Sequence, residues 1–179
     1  LGKSGELLGN PLCYRNVLGS EGLSSCSSEE KECFFSETGI QNLPMNSLYQ
    51  LLGIRKMLPE YYHNGEHILL IPDLLNHLLT GEINSEISIA STTQLVDMRK
   101  RDYCPYIFSQ TGLTRTLFPP LIGHKKVRGR IKASLAEKFG IPQLPAISVP
   151  SHDTAAAVVC VPTEEERFAF ISSGTWSLI

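Results

Sequence analysis

The stretch that most constrains the fold of this chain runs from residue 147 to residue 179. A short apolar run there ends in the pair His152-Asp153, and an alanine-rich run follows. Alanine is the best helix former and Asp is a preferred N-cap, so the pattern predicts a strand that hands over to a helix at Asp153. Backbone N–H groups and the helix dipole would favour an ionised carboxylate at that position. Taken alone, an Asp before a helix is usually just a cap.

A second constraint lies further along the same stretch. Residues 168–171 predict a buried strand, which breaks at Ser172-Ser173-Gly174-Thr175 before apolar residues resume at Trp176. A Gly between small hydroxyl residues lets a backbone approach an anion closely. The same four residues also suit an ordinary turn, so the local pattern leaves both interpretations open.

Composition indicates a globular protein. The chain has 42% hydrophobic and 19% charged residues and a formal net charge of -2, which gives no indication of a nucleic-acid or membrane-surface partner. The longest apolar runs are interrupted by Pro72, Asp73 and Asn76, well short of a bilayer span. No basic segment followed by an apolar one opens the chain, so nothing argues for secretion. The 5 cysteines are irregularly spaced, which favours reduced thiols and a cytoplasmic location.

Helices that alternate with short apolar runs predict an α/β fold. We expect one helix from the cap Asn46 to about Leu58, a second over 68–81 and a third over 132–139. In the second helix an apolar stripe should face the core, with Asp73 as a first-turn acid that complements the dipole. The stripe consists of Leu74, Leu75, Leu78 and Leu79.

The remaining segments carry weaker signals. Residues 1–18 resemble the edge of a strand pair, residues 19–37 are Ser- and Glu-rich and predict a loop, and residues 90–97 resemble a capped helix start. One basic patch is predicted to be a solvated surface. It contains His124, Lys125, Lys126, Arg128 and Arg130.

One motif suggests a different chemistry. His63, Glu66 and His67 match His-x-x-Glu-His, an inverted zinc-protease signature that needs both histidines on one helix face. Gly65 lies inside the motif and costs roughly 1 kcal/mol of helix stability relative to Ala. We therefore expect the match to be accidental, while a zinc hydrolase and a non-catalytic binding module stay open as rivals.

Several motifs together resemble the rhamnulokinase branch of the FGGY carbohydrate kinases. They follow the family's order along nearly the whole chain, which makes the series far more specific than any one motif. The matching segments are His-Asp-Thr-Ala-x-Ala-Val (152–158), Ser-Ser-Gly-Thr-Trp-Ser-Leu (172–178), Leu-Leu-Gly-Asn-Pro-x-Cys-Tyr-Arg (7–15), Thr-Gly-Ile-Gln-x-Leu-Pro-x-Asn-x-Leu-Tyr-Gln-Leu-Leu (38–52), Leu-Leu-Ile-Pro-Asp-Leu-Leu-Asn (69–76), Ala-Ser-Thr-Thr-Gln-Leu (90–95) and Leu-Phe-Pro-Pro-Leu (117–121).

The resemblance implies a ribonuclease H-like fold, as in actin and Hsp70, in which two domains close on ATP and a sugar. Residues 1–161 would form the larger, C-terminal part of the first domain, residues 162–166 the crossing, and residues 167–179 the start of the second. The chain begins without Met and stops inside an apolar run, so we expect an incomplete piece. The family's Asp-x-Gly phosphate loop and its adenosine motif would lie outside it, and the isolated chain would be inactive.

The resemblance also implies an activity, the ATP-dependent phosphorylation of L-rhamnulose to L-rhamnulose 1-phosphate, with Mg²⁺. Asp153 would be the catalytic base, and His152, Asp153 and Thr154 would bind the sugar. Gly174 and Thr175 would face the ATP phosphates, and no metal site on the chain is implied. A related kinase acting on L-fuculose or a pentulose remains an alternative.

Two positions depart from the family's pattern. The family's Tyr-Arg-Asp is Tyr-Arg-Asn here, which leaves Arg15 as a weak substrate-binding candidate and puts Asn16 in doubt. Ile89 stands where the family often has Asn or Asp before Ala-Ser.

Overall fold

The computed structural model describes residues 1–165, 167–174 and 177–178. Helices and short strands alternate along this part of the chain. The helices are α1 Val17–Ser24, α2 Ser28–Thr38, α3 Ser47–Met57, α4 Pro59–His63, α5 Ile71–Thr80, α6 Ile87–Ser91, α7 Pro105–Thr111, α8 Ala133–Phe139 and α9 Asp153–Val159, with a 3-10 turn at Arg115–Leu117.

The strands are short and pair two by two. They are β1 Ser85–Glu86, β2 Val96–Asp97, β3 Asp102–Tyr103, β4 Leu121–Ile122, β5 Val127–Arg130, β6 Pro145–Ile147, β7 Ser172–Ser173 and β8 Ser177–Leu178. β1 pairs in parallel with β4, whereas β2 with β3, β5 with β6 and β7 with β8 are antiparallel. The predicted α/β class is confirmed.

The core is built around α3. Leu48 and Tyr49 of this helix are fully buried, together with Phe34 of α2 and Ile107 of α7. Asn46 is the N-cap residue of α3 and Leu58 its C-cap, as the sequence predicts.

Helix α1 packs along α3 with the two backbones almost in contact. A Cβ placed on Gly22 would lie 1.9 Å from the carbonyl oxygen of Tyr49, and one placed on Gly53 would lie 1.9 Å from that of Leu18. Real side chains cannot occupy such positions, so glycine is required on both helices for this approach.

The first 38 residues differ from the prediction. Residues 1–16 form turns and bends rather than a strand pair, and the segment predicted as a loop folds into α1 and α2. Helix α2 begins with a capping box, in which the Ser27 hydroxyl accepts from the amide of Glu30 and the Glu30 carboxylate accepts from the amide of Ser27. Two otherwise unpaired amides are thereby satisfied, which stabilises the start of the helix.

The predicted core stripe of α5 is also largely wrong. Leu74 is buried, but Leu75, Leu78 and Leu79 are about half exposed, at 56%, 47% and 47%. The buried positions of this helix include Asp73, which is fully enclosed. The helix is therefore turned so that a carboxylate faces the interior, where it meets an arginine.

Two further segments differ from expectation. Residues 87–91 form α6, so the run beginning at Ala90 ends a helix rather than starting one, and β2 follows. Residues 168–171 are irregular, with Phe168 and Ile171 exposed, and strand β7 instead occupies the predicted break. Across the described residues, each helix is too short or too polar to cross a bilayer.

Two adjacent phenylalanines of α2 provide a test of this packing. Phe34 is fully buried and Phe35 is 50% exposed. We expect Phe34→Ala to lower the free energy of unfolding by about 3–5 kcal/mol through lost burial and a cavity. Phe35→Ala should cost less than about 1 kcal/mol. Urea unfolding of both variants checks this, and equal losses would contradict the burial of the α2 face.

Candidate functional site

The best candidate site lies where the loop after β6 enters α9. His152 is the N-cap residue and Asp153, predicted to be the cap, is the first residue of the helix, which therefore begins one residue earlier than predicted. The Asp153 side chain is 94% exposed, and its Oδ1 lies 3.3 Å from His152 Nε2. The same oxygen accepts hydrogen bonds from the Thr154 amide at 2.7 Å and the Thr154 hydroxyl at 3.4 Å. A free carboxylate is thus presented to solvent beside an imidazole and a hydroxyl.

The loop before Asp153 is attached to a buried acid, Glu86. Glu86 is fully enclosed at the junction of β1 and α6. Its Oε2 accepts from the Ser151 amide at 3.0 Å and from the Ser151 hydroxyl at 2.8 Å. Glu86 also caps α6, accepting from the amides of Ser88 at 3.0 Å and Ile89 at 3.3 Å.

The Ser88 hydroxyl forms the second attachment. It donates to Glu86 Oε2 and accepts from the amides of Ser151 at 3.0 Å and His152 at 3.2 Å. Two consecutive backbone amides directly before Asp153 are therefore held by side chains of α6.

Glu86 is in turn connected to a buried pair between Asp73 of α5 and Arg128 of β5. Asp73 Oδ1 accepts from the Glu86 amide at 3.0 Å and from an Arg128 guanidinium nitrogen at 2.6 Å. Arg128 is 7% exposed and also donates to the side-chain oxygen of Asn84 at 2.8 Å. The sequence interpretation of Arg128 as part of a solvated patch is wrong, whereas its neighbours Lys126 and Arg130 are exposed.

The two buried acids have opposite pKa shifts. Burial opposes ionisation of Glu86, but hydrogen bonds from Ser88 and Ser151 outweigh it, so the pKa of Glu86 lies below its ordinary value. Burial raises the pKa of Asp73, against the hydrogen bonds from the Glu86 amide and from Arg128. The lowered pKa of Glu86 favours the carboxylate form, which is the form that accepts all of these hydrogen bonds.

The other predicted site residues lie elsewhere. Arg15 is exposed, and its described contacts are with Tyr14, whose hydroxyl accepts from Arg15 Nε at 3.1 Å and whose ring lies under the guanidinium. Asn16 is the N-cap of α1, where it accepts from the Leu18 amide at 2.8 Å. An Asp would cap the helix equally well, but the Asn16 side-chain amide also donates to the carbonyl oxygen of Cys13, which a carboxylate could not do. Ile89 is half-buried inside α6.

Gly174 follows β7 as an exposed bend, and β7 lies close to α9. Thr175, the other predicted phosphate-facing residue, lies outside the described residues. The structure therefore brings His152, Asp153 and Thr154 together and places the β7 strand near their helix.

The zinc motif lacks the geometry it needs. Helix α4 ends at His63, and His67 follows beyond the C-cap Asn64, so the two histidines do not share a helix face. Within residues 1–165, 167–174 and 177–178, no cluster of three or more His, Cys, Asp or Glu side chains is arranged to hold a metal ion. All 5 cysteines are free thiols.

Comparison with known proteins gives a consistent family assignment. Residues 19–160 match the N-terminal domain of the FGGY family of carbohydrate kinases. The chain is 35% identical over its whole length to the rhamnulokinases of Ligilactobacillus salivarius and Enterobacter sp., and 35% identical to that of Bacteroides thetaiotaomicron. It spans 36–37% of the length of these relatives.

Solved structures show the same fold. The gluconate kinase from Lactobacillus acidophilus superposes with a TM-score of 0.75 at 19% identity, over 82% of this chain and 30% of that one. The xylulose kinase from Rhodospirillum rubrum gives 0.75 at 20%, over 83% and 31%. The Plasmodium falciparum glycerol kinase with ADP gives 0.70 at 16%, over 81% and 30%. The predicted sugar-kinase fold is confirmed.

The buried pair beneath the site makes a testable prediction. Arg128→Met leaves the Asp73 carboxyl buried without its main partner, and we expect a loss of roughly 3–5 kcal/mol in the free energy of unfolding. The matched control Arg130→Met removes an exposed arginine of the same strand and should cost less than about 1 kcal/mol. Urea unfolding at neutral pH measures both, and a tolerated Arg128→Met would contradict the pairing.

Proposed function

The chain belongs to the FGGY family of carbohydrate kinases, and on that premise we propose that the full-length protein phosphorylates L-rhamnulose with ATP to give L-rhamnulose 1-phosphate. The rhamnulokinase names of relatives that align with the whole chain support this substrate. The observation that carries the reaction type is the exposed Asp153 carboxylate at the start of α9.

Asp153 is the proposed catalytic base. The proton of the sugar hydroxyl moves to its carboxylate while the hydroxyl oxygen bonds to the γ-phosphorus and the bond to ADP breaks. Because Asp153 is 94% exposed, a substrate can reach it without displacing protein atoms. Its contacts with the Thr154 amide and hydroxyl restrict the carboxylate to one side of the helix end.

The remaining site assignments follow the same proposal. His152 and Thr154 flank the base and would hydrogen-bond the sugar, with Arg15 as a further sugar contact. Gly174 and Thr175 would face the phosphates of ATP, which enters as its Mg²⁺ complex with the ion held mainly by phosphate oxygens. The exposed bend at Gly174 suits such an approach.

We further propose the domain boundaries expected from the sequence. Residues 1–161 belong to the first domain, 162–166 form the crossing and 167–179 begin the second domain, so that closure would assemble the site. The family match over residues 19–160 supports the first boundary. Five free thiols are in keeping with a cytoplasmic location.

The base assignment makes the first functional prediction. Asp153→Asn in the full-length protein should lower kcat by about 10²–10⁴-fold, because the amide cannot accept the proton. Its stability should be unchanged, since the side chain is exposed. Glu137→Gln, an exposed acid on α8, is the control and should retain activity. ADP release measures both, and an active Asp153→Asn protein would remove the base assignment.

The proposed substrate makes the second functional prediction. ADP release by the full-length protein is compared for L-rhamnulose, L-fuculose and L-ribulose at equal concentrations, with this 179-residue chain alone as a further sample. We expect the highest kcat/KM with L-rhamnulose and no turnover by the chain alone. A preference for another sugar would overturn the substrate but keep the kinase, whereas no release with any sugar would overturn the reaction type.

A further inference from the structure

We propose that Glu86 and Ser88 are positioning residues that set the location of Asp153 by holding the two peptide units before it. This inference rests on the proposed phosphoryl transfer, in which Asp153 is the base. Neither residue touches the exposed carboxylate; both act through the backbone of residues 151 and 152.

The contacts point to the backbone as the part that is held. The Asp153 side chain has only local described partners, in His152 and Thr154. The peptide N–H groups of Ser151 and His152, in contrast, donate to Ser88 Oγ, and the Ser151 amide and hydroxyl donate to Glu86 Oε2. The start of α9 is thus fixed to the start of α6. Glu86 and Ser151, which form this attachment, are 65 residues apart in the sequence.

The arrangement requires a carboxylate at position 86. Glu86 Oε2 faces donors alone: the Ser88 hydroxyl, the Ser151 hydroxyl and the amides of Ser151 and Ile89. An amide side chain would either turn its NH₂ group toward these donors or turn it toward the Ser88 amide, which donates to Oε1. In both orientations a donor meets a donor inside the protein. Glutamine is therefore a close match in shape that cannot reproduce the attachment.

Glu86 is itself held by further hydrogen bonds. The Glu86 amide donates to Asp73, which Arg128 holds from β5, so the anchor joins α5, α6, β5 and the loop before α9. A base must lie within hydrogen-bond reach of the hydroxyl it deprotonates, and a misplacement of about 1 Å can cost roughly 10²-fold in rate. Loosening this loop should therefore lower kcat more than substrate affinity.

The test uses four variants of the full-length protein: Glu86→Gln, Ser88→Ala, Ser88→Thr and the control Ser91→Ala. Ser91 donates to the carbonyl oxygen of Ser88 within α6, so its loss removes a hydroxyl from the same helix without touching the loop. We expect Glu86→Gln and Ser88→Ala to lower kcat by about 10–100-fold, with KM for ATP within about twofold of the unsubstituted protein. Ser88→Thr keeps the hydroxyl and should restore most of the rate.

A double-variant cycle separates positioning from a general structural role. If Ser88 acts through Asp153, adding Ser88→Ala to Asp153→Asn should lower kcat no further than Asp153→Asn alone. Amide hydrogen exchange of residues 151 and 152 gives a readout that needs no activity. It should be about 10-fold faster or more in Ser88→Ala and Glu86→Gln but unchanged in Ser91→Ala.

Different results would overturn the positioning role, the attachment or the proposed function. Unchanged kcat in folded Ser88→Ala, or additive losses in the double variant, would overturn the positioning role. If Glu86→Gln does not fold, the Ser88 comparison still tests the proposal. No ADP release by the unsubstituted protein would overturn the proposed function and the catalytic part of this inference with it. Unchanged exchange at residues 151 and 152 would overturn the attachment itself while leaving the kinase assignment intact.

Discussion

The hydrogen bonds that converge on the buried carboxylate of Glu86 are the interaction on which the candidate site depends. They join the end of β1, the start of α6 and the loop that leads into α9. Asp73 and Arg128 support them from α5 and β5. A buried charge is tolerated only when several donors satisfy it, so these elements must assemble together or leave an unpaired acid. The buried contacts of Glu86 thus hold the loop from which the exposed Asp153 projects.

The two acids of this arrangement, Glu86 and Asp153, have opposite environments. Glu86 is charged, enclosed and saturated with donors, which suits it to holding a backbone in place. Asp153 is open to solvent, which is the exposure that the proposed catalytic base needs in order to reach a substrate hydroxyl. In the proposed mechanism the same functional group thus serves structure or chemistry, according to how many donors surround it and how freely water reaches it.

The sequence predicted the parts of the fold that local chemistry decides. Caps, periodicity and alanine content predict helix α3 with its Asn46 cap, the helix at 133–139 and the entry into α9. They do not predict helix α1, because its glycines and serines favour turns. Helix α1 forms through the close approach of Gly22 to Tyr49. The burial of Glu86 and of Arg128 cannot be predicted from the local sequence, for a related reason. Their partners lie 65 and 55 residues away, and a lone Glu or Arg carries no signal of burial.

The glycine contact between α1 and α3 has a thermodynamic consequence. Backbone atoms meet at the two glycines themselves, so the apolar burial of α1 rests on Leu18, which belongs to the same core cluster as Phe34 and Tyr49. The heat-capacity change on unfolding comes mainly from the exposure of apolar surface. Phe34 and Tyr49, which are fully buried, contribute to that surface. Hydrophobic stabilisation weakens on cooling, so in the cold the glycine contact depends on the same apolar core that holds α2 and α3 together.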